Sequence, residues 1–348
     1  METQNNMTPM LELLLRPAFC VVNGRITQIN SAAAPYLLSE GVEILPLLAT
    51  GQEEYTSFEK GCLYLTLVIG GQVLGATVVS LDDCQLFLLE HPRDLAELRA
   101  FALAAQQLRE PLSAMNAAAD LLQTNDSLRM GQLNRRMHQM MRIVSNMSDA
   151  IEFCQAGPER MELLDLSAHL NELLTAVALQ LQAADIRLEY ALPPTPVITM
   201  ADRERLERAV YNLLSNAAKQ TPPGGKIHFE LVQKGRLYLS VTDEGPSTPD
   251  ANAYTRYLRT PSVTDGQDGI GLGMVLVRAV ATLHGGTVLI DRPKGVGTRV
   301  TMTLQLRQRA DIQVRSPLMR IDYAGERDHG LQELADVLPA SLYAPEKS

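Results

Sequence analysis

Gly269-Ile270-Gly271-Leu272-Gly273-Met274-Val275-Leu276-Val277-Arg278-Ala279-Val280-Ala281-Thr282-Leu283-His284-Gly285-Gly286 is the stretch on which the reading of this chain turns. Three glycines at alternate positions, Gly269, Gly271 and Gly273, can bring backbone N–H groups close to an anion. The apolar run behind them predicts a helix over Met274 to Leu283, whose positive dipole end points at the same anion. A glycine triplet before a helix is also an ordinary loop, so its meaning comes from the residues around it.

Upstream, Asn212 and Asn216 lie four apart on a predicted helix, Arg203 to Lys219, and share a face, with Lys219 three residues further on. Two amides buried on one face are costly unless something binds them. The Asn216 carboxamide oxygen suits a hard cation such as Mg²⁺, which takes few protein ligands and completes its shell with water and phosphate. Lys219 supplies a point charge to the same phosphates. Asp243-Glu244-Gly245 ends a predicted strand, where a carboxylate can accept from an exocyclic amine and Gly245 lets a flat base approach. Gly297-Thr298 offers a hydroxyl at the opening of the last strand.

Taken together and in this order, Asn-Leu-Leu-Ser-Asn-Ala-Ala-Lys, Asp-Glu-Gly-Pro, the glycine stretch and His-Gly-Gly-Thr resemble the catalytic and ATP-binding domain of sensor histidine kinases, of GHKL type. The resemblance implies that Asn216 holds Mg²⁺ and that Lys219 touches phosphate. It also implies that Asp243 reads adenine with Gly245 beside it, that Gly269, Gly271, Leu272 and Gly273 shape a mobile lid, and that Thr298 supports the base. Asn212 belongs to the same ATP-binding set. It stands where ATP-hydrolysing relatives on this fold carry a Glu general base, which disfavours a free-standing ATPase. Two departures weaken the match: Ser247 where a glycine usually repeats, and Gln220 where an aromatic or His is common. Tyr254 to Arg259 looks like a degenerate aromatic box before the lid.

Ahead of this region the pattern is helical. Leu95, Leu98, Ala102, Ala105, Leu108, Leu112, Met115, Ala119 and Leu122 are spaced three or four apart. After a break at Asn125-Asp126-Ser127 come Met130, Leu133, Met137, Met140, Val144, Met147, Ile151 and Cys154. Two such helices predict an antiparallel hairpin, and the width of each stripe predicts that two hairpins pair into a four-helix bundle, making the protein a homodimer.

The first helix reads Ala105-Gln106-Gln107-Leu108-Arg109-Glu110-Pro111-Leu112, similar to the family's Ser-His-Glu-Leu-Arg-Thr-Pro-Leu phosphoacceptor box. Gln106 occupies the place of the His, Gln107 that of the acid, and Glu110 that of the Thr. A carboxamide nitrogen has a delocalised lone pair and cannot serve as a nucleophile, so autophosphorylation is expected to be absent and no catalytic residue is assigned. His138 is read as an exposed residue of the second helix rather than a substitute acceptor, and His284 as a structural part of the His-Gly-Gly turn.

Residues 1 to 90 predict a small α/β module: a hairpin Phe19 to Val22 and Arg25 to Ile29 around Asn23-Gly24, and a short helix capped by Asn30 or Ser31. A second hairpin over Gly61 to Leu81 turns at Gly70-Gly71, and a strand covers Cys84 to Leu89. The order is similar to a PAS-type sensor domain. Gly61 to Leu81 carries no charge, but its β-branched halves and central glycines predict strands rather than a membrane span.

The net charge of -9 and lack of a long basic run argue against nucleic acid as a partner. Four scattered cysteines without a Cys-x-x-Cys pair fit free thiols, and the polar N-terminus lacks signal-peptide order, so a cytoplasmic location is expected.

The expected architecture is α/β multidomain. It comprises a PAS-like sensor module (1–90), a helical-hairpin dimerisation domain (91–158), an α/β sandwich ATP-binding domain of GHKL type (159–307) and a charged tail (308–348) with an amphipathic set at Leu331, Leu334, Val337 and Leu338. The expected function is that of a cytoplasmic histidine kinase homologue in two-component signalling, a pseudokinase binding ATP and Mg²⁺. Its expected partners are a response regulator or another histidine kinase. An active kinase phosphorylating a partner in trans or another His, and a non-catalytic dimeric scaffold, are the alternatives.

Overall fold

The computed structural model describes residues 11–14, 16–81, 83–90, 99–109, 112–113, 115, 127–154, 160–245, 272–293, 297–307 and 326–344. Both predicted N-terminal hairpins form. Strand β1 (Ala18–Val22) pairs antiparallel with β2 (Arg25–Ile29) around Asn23 at φ 50° and Gly24 at φ 74°. Asn30 accepts from the Ala33 N–H at 3.1 Å and starts a 3₁₀ turn, Ser31–Tyr36. A short helix, α1 (Gln52–Thr56), precedes β3 (Cys62–Ile69) and β4 (Gln72–Ser80), which turn at Gly70 and Gly71, both at positive φ. Strand β5 (Gln85–Leu89) closes the module, packing Phe87 on Phe19 with ring centroids 4.8 Å apart. The apolar Gly61 to Leu81 segment is therefore sheet, as its composition indicates. Among the described residues no helix is long and apolar enough to cross a membrane.

Residues 99–109 are helical as α2, and α3 (Ser127–Cys154) is the long second helix. Asn125, Asp126 and the ends of the first stripe lie outside the described residues. Ala105, Leu112, Val144 and Met147 share one buried cluster, whereas Leu108, Met115, Leu133 and Met140 are exposed.

The following region has two parts. A two-stranded antiparallel sheet, β6 (Glu162–Asp165) with β8 (Ile198–Ala201), was not legible in the periodicity. Strands that short carry too few alternations to stand out. The main sheet holds β7 (Arg187–Ala191), β9 (Lys226–Lys234), β10 (Arg236–Asp243), β11 (Val288–Asp291) and β12 (Arg299–Leu304). The β7–β9 pair is parallel and the others are antiparallel. Helices α4 (Leu166–Gln182), α5 (Arg203–Gln220) and α6 (Leu272–Leu283) contribute to its core. The tail adds α7 (Glu326–Glu333) and a 3₁₀ turn, Ala340–Tyr343.

The two α/β regions share one sheet. Strand β3 pairs with β11 through Tyr64↔Val288, Leu63↔Leu289 and Cys62↔Ile290, giving a ten-stranded order β2-β1-β5-β4-β3-β11-β12-β10-β9-β7. Gly61 permits this join: it sits at φ 111°, and a Cβ there would overlap the Ile290 carbonyl oxygen. Arg278 lies 5.1 Å over the Tyr64 ring, and Arg236 pairs with the buried Glu54 at 3.4 Å across the same seam.

Candidate functional site

The Asp243 corner forms where β10 ends beside the start of β12. The buried Asp243 Oδ1 accepts from the N–H groups of Gly245 (2.8 Å) and Thr298 (3.0 Å). The backbone locks the same corner: Asp243 N–H donates to the Thr298 carbonyl and Gly297 N–H to the Asp243 carbonyl, each at 3.0 Å. No residue with a Cβ fits at Gly297, where it would overlap Asp243 Oδ1 and lie 2.6 Å from Gly245 N. A Cβ at Gly245 would sit 2.8 Å from Asp243 Oδ1 and 3.0 Å from the Gln220 carbonyl oxygen, so this corner abuts the last turn of α5. The glycines thus hold one carboxylate in a fixed orientation, an arrangement suited to reading a flat polar ring.

Helix α5 begins at Asp202, whose carboxylate accepts from the Arg205 N–H at 3.1 Å. Glu204 in the first turn and Lys219 in the last complement the dipole. Asn212 is buried: its Nδ2 donates to the Arg208 carbonyl at 2.8 Å, and its Oδ1 accepts from Arg142 of α3 at 3.4 Å. Asn216 lies one turn on, half-buried, and Lys219 a further turn on. Gly273, in the first turn of α6, is in contact with Asn212, since a Cβ there would lie 2.7 Å from its Oδ1. Leu272 is buried at the head of α6, whereas Gly269, Gly271, Ser247 and Tyr254 to Arg259 lie outside the described residues. The structure therefore brings Asp243, Gly245 and Thr298 together, and Asn212 with Gly273. Lys219 is held by Asp336 of the tail at 2.6 Å.

Helix α6 ends at Leu283, just before His284, because Gly285 takes φ 66° and Gly286 lies against the Thr303 carbonyl, where a Cβ would overlap it. The buried His284 ring spans two elements: Nδ1–H donates to the Val280 carbonyl at 2.8 Å, and Nε2 accepts from the Asp202 N–H at 3.1 Å. Burial lowers its pKa against the smaller raising effect of the Val280 hydrogen bond. An unfolded His binds a proton near pH 6.5 while the folded ring resists it, so the unfolded state carries more protons below that pH. Stability should therefore fall as pH drops below about 6.5, by up to about 1.4 kcal/mol per pH unit until the lowered folded pKa is reached. Urea melts at pH 7 and pH 5.5 on wild type and His284→Gln check this; an equal acid loss in both would reject His284 as the cause.

Of the remaining assignments, Gln106 and Gln107 are exposed on α2, and Glu110 lies outside the described residues. The expectation of a plainly exposed His138 is corrected: the residue is half-buried. Its Nδ1–H donates to the Asn134 carbonyl at 2.9 Å, and its ring meets Tyr343 edge-on at 5.1 Å. Arg142, Glu333 and Asp336 escaped sequence reasoning because they join the site from α3 and the tail. One clue was present: Gly131 inside a long helix, a residue that costs about 1 kcal/mol there and so signals a close neighbour.

Residues 201–308 match the family of histidine kinase-, DNA gyrase B- and HSP90-like ATPases. That span includes helix α5, the Asp243 corner and strands β9 to β12. Over the part that aligns, the chain is similar to histidine protein kinases and sensor proteins. It is 30% identical over 241 residues to the histidine protein kinase DivJ of Caulobacter vibrioides, covering 62% of this chain and 40% of that protein. It is 28% identical over 254 residues to the alginate biosynthesis sensor protein KinB of Pseudomonas aeruginosa, covering 70% and 42%. The chain therefore spans less than half the length of either relative. Among solved structures, full-length ShkA in complex with AMPPNP aligns over 63% of this chain and 47% of its own, at 22% identity and a TM-score of 0.49.

Proposed function

We propose that this chain binds Mg²⁺-ATP and acts in two-component signalling without phosphorylating itself. The observation that carries the nucleotide reading is the Asp243 corner, where two backbone N–H groups fix a buried carboxylate between glycines that leave no room for a side chain. In this reading Asp243 takes the adenine amine, Thr298 supports the base, and Gly245 lets the ring approach. Asn216 holds Mg²⁺ through its amide oxygen, with Asn212 beside it. Lys219 and the N–H groups at Gly269, Gly271, Leu272 and Gly273 take the phosphates. The bound nucleotide supplies a γ-phosphoryl group, and Gln106 gives it no acceptor.

Residues 1–90 serve as a PAS-like sensor, a reading supported by the five-stranded antiparallel unit with helical turns between β2 and β3. Residues 91–158 form the dimerisation hairpin; the exposed Leu133 and Met140 on α3 supply an apolar seam for a second copy. Residues 159–307 bind the nucleotide, and the protein is a cytoplasmic homodimer whose output partner is a response regulator or another histidine kinase.

Calorimetric titration of Mg²⁺-ATP into the full chain tests the nucleotide reading: saturable one-site binding is expected, and its absence in wild type, Asp336→Asn and Gly131→Leu alike would sink the reading. Sedimentation of the same sample tests the assembly, where a monomer at micromolar concentration rejects the bundle.

A further inference from the structure

The tail, from His329 to Tyr343, folds back on the body and ends on a residue the nucleotide reading needs. Leu334 and Leu338 are fully buried in the same core cluster as α5 and α6. His329 packs edge-on against Tyr211 of α5 at 5.3 Å. Glu333 is fully buried, paired with Arg208 of α5 and, at 3.5 Å, with Arg142 of α3. Asp336 follows, its carboxylate 2.8 Å from Arg142 and 2.6 Å from Lys219. Burial pushes the Asp336 carboxyl up, but Lys219, Arg142 and Arg135 together hold it below its ordinary value, so it is an anion here.

We propose that this segment is an internal competitor of the nucleotide phosphates: while it is docked Asp336 occupies Lys219, and tail docking and nucleotide binding oppose each other. The inference rests on the nucleotide reading and concerns the regulation of that same site. A carboxylate and a phosphate oxygen satisfy an ammonium in the same way, through a short charge-assisted hydrogen bond, so one displaces the other. Arg142 ties the two events together because it donates both to Asp336 and to Asn212 Oδ1. Glu333 adds a strong local bias. A fully buried carboxylate is tolerated only with its cations in place, and Arg208 and Arg142 meet it only when the tail is docked.

The docking is written into α3 as well. Gly131 lies within that helix and is buried, and a Cβ there would overlap the Ala340 carbonyl oxygen. Asn134 and Arg135 one turn later donate to the tail carbonyls of Tyr343, Ala335 and Asp336, each at 3.0 Å. A glycine that weakens the helix is thus placed where the tail comes closest, and it gives a way to release the tail without altering any charge.

Coupling of this kind is reciprocal and usually amounts to 5- to 150-fold, roughly, in affinity. The test compares Mg²⁺-ATP affinity of the full chain with that of Asp336→Asn, which removes the competing charge, and of Gly131→Leu, which keeps a good helix former and blocks the tail. Both are expected to bind about tenfold more tightly than wild type. Hydrogen exchange supplies the converse: Mg²⁺-ATP should raise exchange at residues 329–343 of wild type. Unchanged or weaker binding by both folded variants, with wild type still binding, overturns the tail's role and leaves the nucleotide reading standing. No binding by wild type or either variant overturns both. Binding by the variants alone is the strongest support, since the docked tail then silences the site.

Discussion

Asp243→Ala is expected to remove measurable Mg²⁺-ATP binding, with affinity down at least about 100-fold. That is about 2.7 kcal/mol, near the upper end of what one charge-assisted hydrogen bond contributes. Two losses combine in it. The acceptor for the adenine amine goes, and the N–H groups of Gly245 and Thr298 lose the oxygen they share. Each orphaned donor in a buried corner costs about 1–3 kcal/mol, so the Ala protein should also melt earlier. Asp243→Asn separates the two effects: its amide oxygen can still accept from both N–H groups, while its NH₂ group presents a donor where adenine also presents one. The Asn protein should melt close to wild type and still lose most of its affinity. Retained affinity in a folded Asn or Ala protein would move the base away from Asp243 and take the adenine assignment with it.

The sequence carried this corner because short-range chemistry made it. Asp-Glu-Gly after an alternating strand, and Gly-Thr before another, are local signals, and the antiparallel register Thr242↔Arg299 brings them side by side. Hairpins at Asn23-Gly24 and Gly70-Gly71 were legible for the same reason, since each turn demands residues that tolerate positive φ. What stayed hidden was long-range. Strand β3 is the edge strand of its own module and reads as a near-continuous apolar run, and nothing in its residues says that β11, more than two hundred positions later, is its neighbour. The tail was similar. Leu331, Leu334, Val337 and Leu338 showed that a face existed, but nothing in the sequence singled out Glu333, which is fully buried between arginines of two other helices. A buried carboxylate leaves no trace in periodicity, because its compensation comes from residues far away in the chain.

Wild-type protein incubated with γ-labelled ATP is expected to carry no acid-labile phosphate, because Gln106 is exposed on α2 yet its amide nitrogen offers no usable lone pair. His138 is not expected to substitute: its ring is half-buried and packed edge-on against Tyr343 of the tail. Gln106→His places an imidazole on the helix surface at the same position. Without an acid beside it to hold the ring and favour attack, the gain should be small. Adding Gln107→Glu supplies that partner, a contribution of order 10²-fold for a positioned acid or base. Adding Glu110→Thr removes a negative charge four positions along the sequence that opposes the approach of a γ-phosphate. The triple variant is therefore expected to label about 100-fold above the single one. It should label further still with Asp336→Asn, if the tail restrains the nucleotide site. Strong labelling of wild type that survives His138→Ala would refute the inactive-acceptor reading altogether. A silent triple variant that still binds Mg²⁺-ATP would put the defect downstream of binding, in bringing the γ-phosphate to α2. In that event Gly131→Leu is the informative companion, because it takes Glu333 and Asp336 away from Arg142, Arg208 and Lys219 while every nucleotide-binding residue stays unaltered and α3 and α5 remain bridged by Arg208–Asp149 and Arg205–Glu152.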